Sequence, residues 1–302
     1  MAADSDAASE FIESFPKFVK ESGYSLDQIF NCDETGLNFR LLPTKTLTFE
    51  KSADGRKKSK DRVTVNLCSN ASGTIKLPLH VIGKAKKPRC FKGVNMKLLP
   101  VHYSGQKNAW MDCNLFREWF HDHFIPCVRT SLLALGQESK AVLVLDNCSA
   151  HPDQSELISD DGIIIAKFLP PNVTSLIQPM DQGVIENVKR RYKKKLLRRV
   201  IIADDQGQSI IDFIKSVNMS KVIQYVSESW DEVNANTLRK SWNKILPIAT
   251  KKSSSKERTQ GGRRSKEGGG EGGRRREGEK GGWQLFWPGK VWIKKHMNHF
   301  CR

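Results

Sequence analysis

An α/β fold, with a mixed β-sheet flanked by helices, is predicted by three features of the sequence. Short β-branched-rich apolar runs, AVLVLD over 141–146 and GIIIAKFL over 162–169, read as buried parallel strands. Alternation over 62–68 (RVTVNLC), then the turn residues Asn70, Ser72 and Gly73, then a further strand over 75–82, reads as a hairpin. Helical periodicity separates and follows these strands, as an α/β layering requires.

In chain order, Phe11, Ile12, Phe15, Phe18 and Val19 predict an amphipathic helix over 8–22, with Gly23 as its stop. A strand over 27–32 precedes the hairpin. A basic connection containing Pro and Gly leads to 114–135, where Leu115, Trp119, Phe120, Phe124, Val128, Leu132 and Leu135 keep helical spacing and Pro126 must kink or split the helix. Between the strands at 141–146 and 162–169, residues 155–159 fit a short crossover helix. A proline-bracketed loop over 170–179 then gives way at Asp181 to a helix with Val184, Ile185, Val188, Tyr192, Leu196 and Val200 along one face. Further helices are predicted over 209–217, 220–233 and 236–246, and Pro247 ends the last. The expected organisation is an N-terminal helix over 1–24, a core over 25–205, a helical subdomain over 206–250, and a Gly/Arg-rich tail over 251–302 whose composition cannot offset ordering entropy.

The 302 residues, 38% of them hydrophobic, suffice for a sizeable core. No apolar run approaches a membrane span and the N-terminus lacks a signal-peptide pattern, so neither secretion nor a membrane partner is expected. Seven cysteines without a CxxC pair point to reduced thiols. The net charge of +17 is uneven: residues 251–302 carry +10 of it. Within the body, basic clusters at 56–60, 84–89 and 189–199 suit a polyanion such as DNA, although a body of only +7 is equally compatible with a merely solvated surface.

The order strand, strand, strand, helix, strand, helix, strand, helix is that of an RNase H-like core. Asp33 ends the first strand, Asp146 ends the fourth, and Asp181 opens the helix after the fifth. In such a layout the first and fourth strands are neighbours, so Asp33 and Asp146 meet and Asp181 closes the site. Gathered carboxylates repel, and a divalent cation with hard oxygen preferences, Mg²⁺, resolves the repulsion while serving phosphodiester chemistry. Singly, each aspartate also fits a turn or a helix cap. Glu34 and Glu186 lie nearby and fit either support of the acids or plain solvation, and His151, five residues after Asp146, fits either a phosphate contact or a structural loop histidine. Zinc is not expected from Cys148 with His151, nor from His121, His123 and Cys127, because neither set has paired-motif spacing. Lys189, Arg190, Arg191, Lys193, Lys194, Lys195, Arg198 and Arg199 form a basic helix suited to DNA backbone phosphates, and equally a nuclear localisation signal.

The runs NCDETGL, SKDRVTV, LPLHVIGK, NAWM, VLVLDNCSAHP and FLPPNVTSLIQPMDQGVI resemble the catalytic domain of Tigger and jerky-type proteins, pogo-like members of the Tc1/mariner transposase superfamily related to centromere protein B. The resemblance spans roughly 11–246. It implies a catalytic and metal-binding role for the acids of DETG, LDN and PMDQ, here Asp33, Asp146 and Asp181, with Mg²⁺ or Mn²⁺ as cofactor and DNA as substrate; the nucleus is the expected location. Such proteins carry helix-turn-helix modules ahead of this domain, and only 32 residues precede Asp33, so the chain reads as truncated at its start and its DNA contacts as mainly to phosphates. Two functions remain open: a metal-dependent DNA endonuclease or strand-transfer enzyme, and a domesticated DNA-binding or interaction protein that performs no chemistry. Assembly into a homo-oligomer is also left open.

Overall fold

In the computed structural model, residues 3–42 and 61–247 are described; the basic cluster at 56–60 and the tail over 251–302 lie outside them. Six strands, β1 (Ile29–Leu37), β2 (Val63–Asn70), β3 (His80–Gly83), β4 (His102–Gly105), β5 (Ala141–Leu145) and β6 (Ile164–Phe168), form one mixed sheet in the order β4-β3-β2-β1-β5-β6. β2 runs antiparallel to β1 and β3; the pairs β1/β5, β5/β6 and β3/β4 are parallel. This is the RNase H-like arrangement expected, with β4 added at the edge.

Because side chains alternate along a strand, the sheet has two apolar faces. Phe30, Cys32, Cys68, Leu143 and Leu145 pack under α2 (Cys113–Trp119) and α3 (Ile125–Ala134) through Phe116, Trp119, Phe124 and Val128. On the opposite face, Leu37, Val63, Val65 and Leu67 meet the apolar stripe of α5 (Val184–Asp205): Val184, Val188, Tyr192, Leu196 and Val200. Phe213 of α6 (Ile210–Ser216), Val222 and Trp230 of α7 (Met219–Asp231), and Leu238 of α8 (Ala235–Ser241) join that same cluster. The helices after 206 therefore share a core with the sheet. Ile29, Val142 and Val144 carry α1 (Ser5–Glu21) and α4 (Thr174–Ile177). Among the described residues no helix is long and apolar enough to cross a membrane.

Five local expectations are corrected. β1 extends through DETG to Leu37, because β2 pairs with it along that whole stretch. Asp33 thus lies within the strand instead of at its end. The third strand is confined to His80–Gly83: Pro78 offers no N–H to a ladder, and 75–77 meets β2 through a bridge from Lys76 to Ser69 and through the bonds from Asn70 N to Ile75 O and from Leu77 N to Cys68 O. The basic connection contains β4, four residues that pair with β3 at the sheet edge and carry no apolar alternation of their own. The crossover helix over 155–159 is one 3₁₀ turn, because Leu157 O and Ser159 N are taken by Ala166 and Ile164 of β6. The helix expected from Asp181 begins at Val184, with Gly183 at a left-handed φ of 83° where the chain turns into it. Pro126 acts as anticipated: a π-helical turn, Phe120–Phe124, splits α2 from α3 just before it.

Asp27, at the entrance to β1, ties three segments together. Its carboxylate accepts from Ser72 and Thr74 of the hairpin turn, from Asn70, and from Gln137 beyond α3. Burial alone raises its pKa, but these hydrogen bonds outweigh burial and hold it below the usual carboxylate range. A carboxyl depressed in the folded state contributes stability that is full above its unfolded pKa and is lost as pH falls through the folded value. Urea unfolding at pH 5.5 and at pH 3 is expected to show a smaller acid-induced loss in Asp27→Asn than in wild type. Equal losses in both would refute this role.

Candidate active site

The middle of β1 and the end of β5 place the first two acids. The parallel register of β1 and β5 ends at Asn31↔Val144. Continued by two residues, it sets Asp33 level with Asp146, at the point where β5 stops and β1 runs on beside β2 alone. The third acid is brought in by a buried polar pair. Asn31, wholly buried, donates from Nδ2 to Val144 O (2.9 Å) and Gln178 Oε1 (3.0 Å), while its Oδ1 accepts Met180 N (3.0 Å). Gln178, also wholly buried, donates back to Cys32 O (3.2 Å). These bonds fasten the turn over 179–183, and with it Asp181, against the strand that bears Asp33.

Asp33 and Asp181 share a hydrogen bond. Burial, and after it the carboxylates of Glu34, Asp181 and Asp146, push Asp33 up to about 9. Asp33 is therefore the protonated partner and Asp181 the acceptor at neutral pH. Burial also raises Asp146 and Asp181; His151 opposes the shift at Asp146, and the Asp33 hydrogen bond and Lys189 oppose it at Asp181.

Glu34 alternates to the other face of β1, where its side chain meets His151. The buried imidazole lies 3.3 Å from Glu34 Oε2, and its Nδ1 is 3.0 Å from Asp146 O and 3.4 Å from Asp146 Oδ1. Phe116 packs on the ring at 4.3 Å. Burial lowers the His151 pKa, but the two carboxylates and the carbonyl more than compensate, and the net shift is upward. His151 thus stands between Glu34 and Asp146, and the two carboxylates favour its charged form.

Among the described residues, no three His, Cys, Asp or Glu side chains stand as a closed metal cage, since Asp33 turns to Asp181 and Asp146 to His151. The donor set still fits a hard divalent cation. All its ligating atoms are carboxylate oxygens, burial raises all three aspartate pKa values, and Glu34 Oε1 and Asp146 Oδ1 are buried with no hydrogen-bond partner. Asp33, Asp146 and Asp181 would hold it, with Glu34 within reach.

The eight basic residues of α5 divide into groups. Arg190, Lys194, Arg198 and Arg199 are exposed. Arg191 and Lys195 pair with Glu232, just beyond α7, at 2.9 and 2.6 Å, and so brace the helix against its neighbour. Lys189 is half-buried between two environments: burial, Lys193 and Arg62 lower its pKa, while Asp181 and Asp33 oppose them. Glu186 is exposed in the first turn of α5. His121 meets Glu156 O, whereas His123 stacks on His102 with centroids 3.5 Å apart.

The fold and the carboxylates together define the class: an RNase H-like domain with an acidic site where β1 and β5 part. Residues 60–242 match the DDE superfamily endonuclease family, and the chain belongs to it. It is 39% identical over 259 residues to the human Jerky protein homolog, covering 85% of this chain and 44% of that protein. It is 35% identical over 259 residues to human Tigger transposable element-derived protein 7, covering 82% of this chain and 47% of that protein. The resemblance to Tigger and jerky-type proteins is thereby borne out, and the chain spans less than half the length of these relatives. Among solved structures, the catalytic domain of Mos1 mariner transposase is similar at 10% identity and a TM-score of 0.42, over 79% of this chain and 86% of that one.

Periodicity and motif spacing assign Asn31 and Gln178 no role. The signal that could have found them is a polar residue inside an apolar strand, IFNC, which must find partners when buried. Asn31→Leu leaves Gln178, Met180 N and Val144 O unmet and is expected to cost about 2–4 kcal/mol. In a thermal melt this is a drop of roughly 5–15 °C. A midpoint within about 2 °C of wild type would show that the pair does not hold the turn.

Proposed function

We propose that the acids of β1, β5 and the turn before α5 form a divalent-metal site for cleaving or joining DNA phosphodiesters, in a protein that works in the nucleus. The observation that carries this reading is the convergence itself: strand register levels Asp33 with Asp146, and a buried amide pair delivers Asp181 to the same point. Bound Mg²⁺ or Mn²⁺ would activate the attacking oxygen and neutralise the leaving one. Asp33, Asp146 and Asp181 would hold the ion, with Asp33 and Asp181 giving up the proton between them to do so. His151 keeps Asp146 and Glu34 from rotating apart. The exposed cations of α5, with Lys189 nearest the acids, supply the field that draws and holds a DNA backbone.

A supercoiled-plasmid nicking assay with Mn²⁺ tests the chemistry. Wild-type protein is expected to nick, and Asp146→Ala to lose at least about 100-fold of the rate, as removal of an electrostatic stabiliser typically does. Equal residual cutting by both would sink the enzymatic reading. The hydrogen bond by which Asp33 and Asp181 satisfy each other favours a second reading, a DNA-binding protein without catalysis; binding without any nicking in either metal would establish it.

DNA affinity is expected to fall steeply with salt. Replacing Arg190, Lys194 and Arg198 by Gln should flatten the log–log slope by about 0.9 for each phosphate that is no longer neutralised. An unchanged slope in the triple variant would place the DNA elsewhere.

A further inference from the structure

Trp110 stands in the turn after β4, and more than half of its surface, 58%, is exposed. That exposure is held in place. Ala109, wholly buried, has a left-handed φ of 54°, which an alanine adopts only at a cost. Its carbonyl accepts from Thr64 Oγ1 at 2.7 Å, and its N–H donates to Gln106 O at 2.7 Å. The Gln106 side chain accepts Asn108 N and Trp110 N. A strained, hydrogen-bonded turn thus keeps a large aromatic in water, where burial would otherwise be favoured.

Arg62 lies against this indole, its guanidinium carbon 5.2 Å from the ring centroid. It also crosses β1 at Gly36, where a Cβ would stand 2.5 Å from Arg62 Nε, so a side chain there would displace it. Arg62 Nε is buried with no hydrogen-bond partner. Gly36 is paired with Thr64, the residue that fastens the Trp110 turn. It is three positions beyond Asp33 on β1, or about 10 Å along the strand, on the stretch that β5 does not accompany. Lys189 lies within electrostatic reach of both Arg62 and the acids.

A fixed aromatic face, a cation stacked on it and a second cation leading to the acidic site make the chemistry of a nucleotide: a base to stack and a phosphate to pair. Within a duplex the bases are already stacked on one another, so the face Trp110 offers selects a base that is unpaired or flipped out. We propose that Trp110 and Arg62 form a binding element for an unpaired nucleotide of the DNA strand, next to the phosphodiester presented to Asp33, Asp146 and Asp181. This rests on the reading of DNA as substrate.

The test uses the full chain without divalent metal and two labelled DNAs of one sequence, a blunt duplex and the same duplex with a short 3′ overhang. Fluorescence anisotropy is expected to show about tenfold tighter binding of the overhang by wild type, the size of one base–aromatic stack. Trp110→Ala should abolish that preference with blunt-duplex affinity kept, Trp110→Phe should retain most of it, and Arg62→Gln should reduce it. A 2-aminopurine in the overhang should be quenched by wild type and not by Trp110→Ala. If blunt duplex binds but the overhang gains nothing, or if Trp110→Ala keeps the preference, this inference falls and the DNA reading stands. If neither DNA binds, both fall.

Discussion

The site depends on one buried contact, the side-chain amide pair of Asn31 and Gln178. Neither amide can be left unpaired in the interior without a penalty comparable to a broken hydrogen bond, so each must find its partners, and those partners lie on β1, on β5 and on the turn before α5. Satisfying two polar groups therefore fixes three chain segments relative to one another. The aspartates sit on those same segments, each close in sequence to a residue of this network. Their meeting is a consequence of hydrogen-bond satisfaction that their own mutual repulsion would oppose.

That opposition shapes the electrostatics. Carboxyls held together by the backbone lower their energy by sharing a proton, as Asp33 and Asp181 do, or by gathering round an imidazole, as Asp146 and Glu34 do at His151. Both devices occupy oxygens that a divalent ion would take. Glu34 Oε1 and Asp146 Oδ1, buried without a hydrogen-bond partner, mark where the cluster is incompletely satisfied. The parting of β1 from β5 adds the other feature, a stretch of β1 beyond Asp33 that β2 alone accompanies and that Arg62 crosses at Gly36.

Much of the fold was legible in the sequence because its elements announce themselves locally. The apolar stripe of α5, the β-branched runs of β5 and β6 and the kink before Pro126 depend on spacing alone. β4 was not legible, since HYSG owes its conformation to pairing with β3 at an edge. The length of β1 was misread for a related reason: DETG has the composition of a turn, and only the continuous ladder with β2 keeps it extended. The start of α5 was misplaced because Asp181 resembles a helix cap, whereas Gly183 with its positive φ makes the turn.

The sequence by itself determined the layered α/β architecture, the family, and the three aspartates with their order and approximate setting, because these follow from periodicity and from contiguous motifs. Only the tertiary structure decided which side chains face each other across segments distant in the chain. It paired Asn31 with Gln178, turned Glu34 toward His151, diverted Arg191 and Lys195 to Glu232, and laid Arg62 beside Trp110. Such pairings depend on strand register and on the face each side chain takes, and a shift of one residue inverts that face, so no local pattern encodes them.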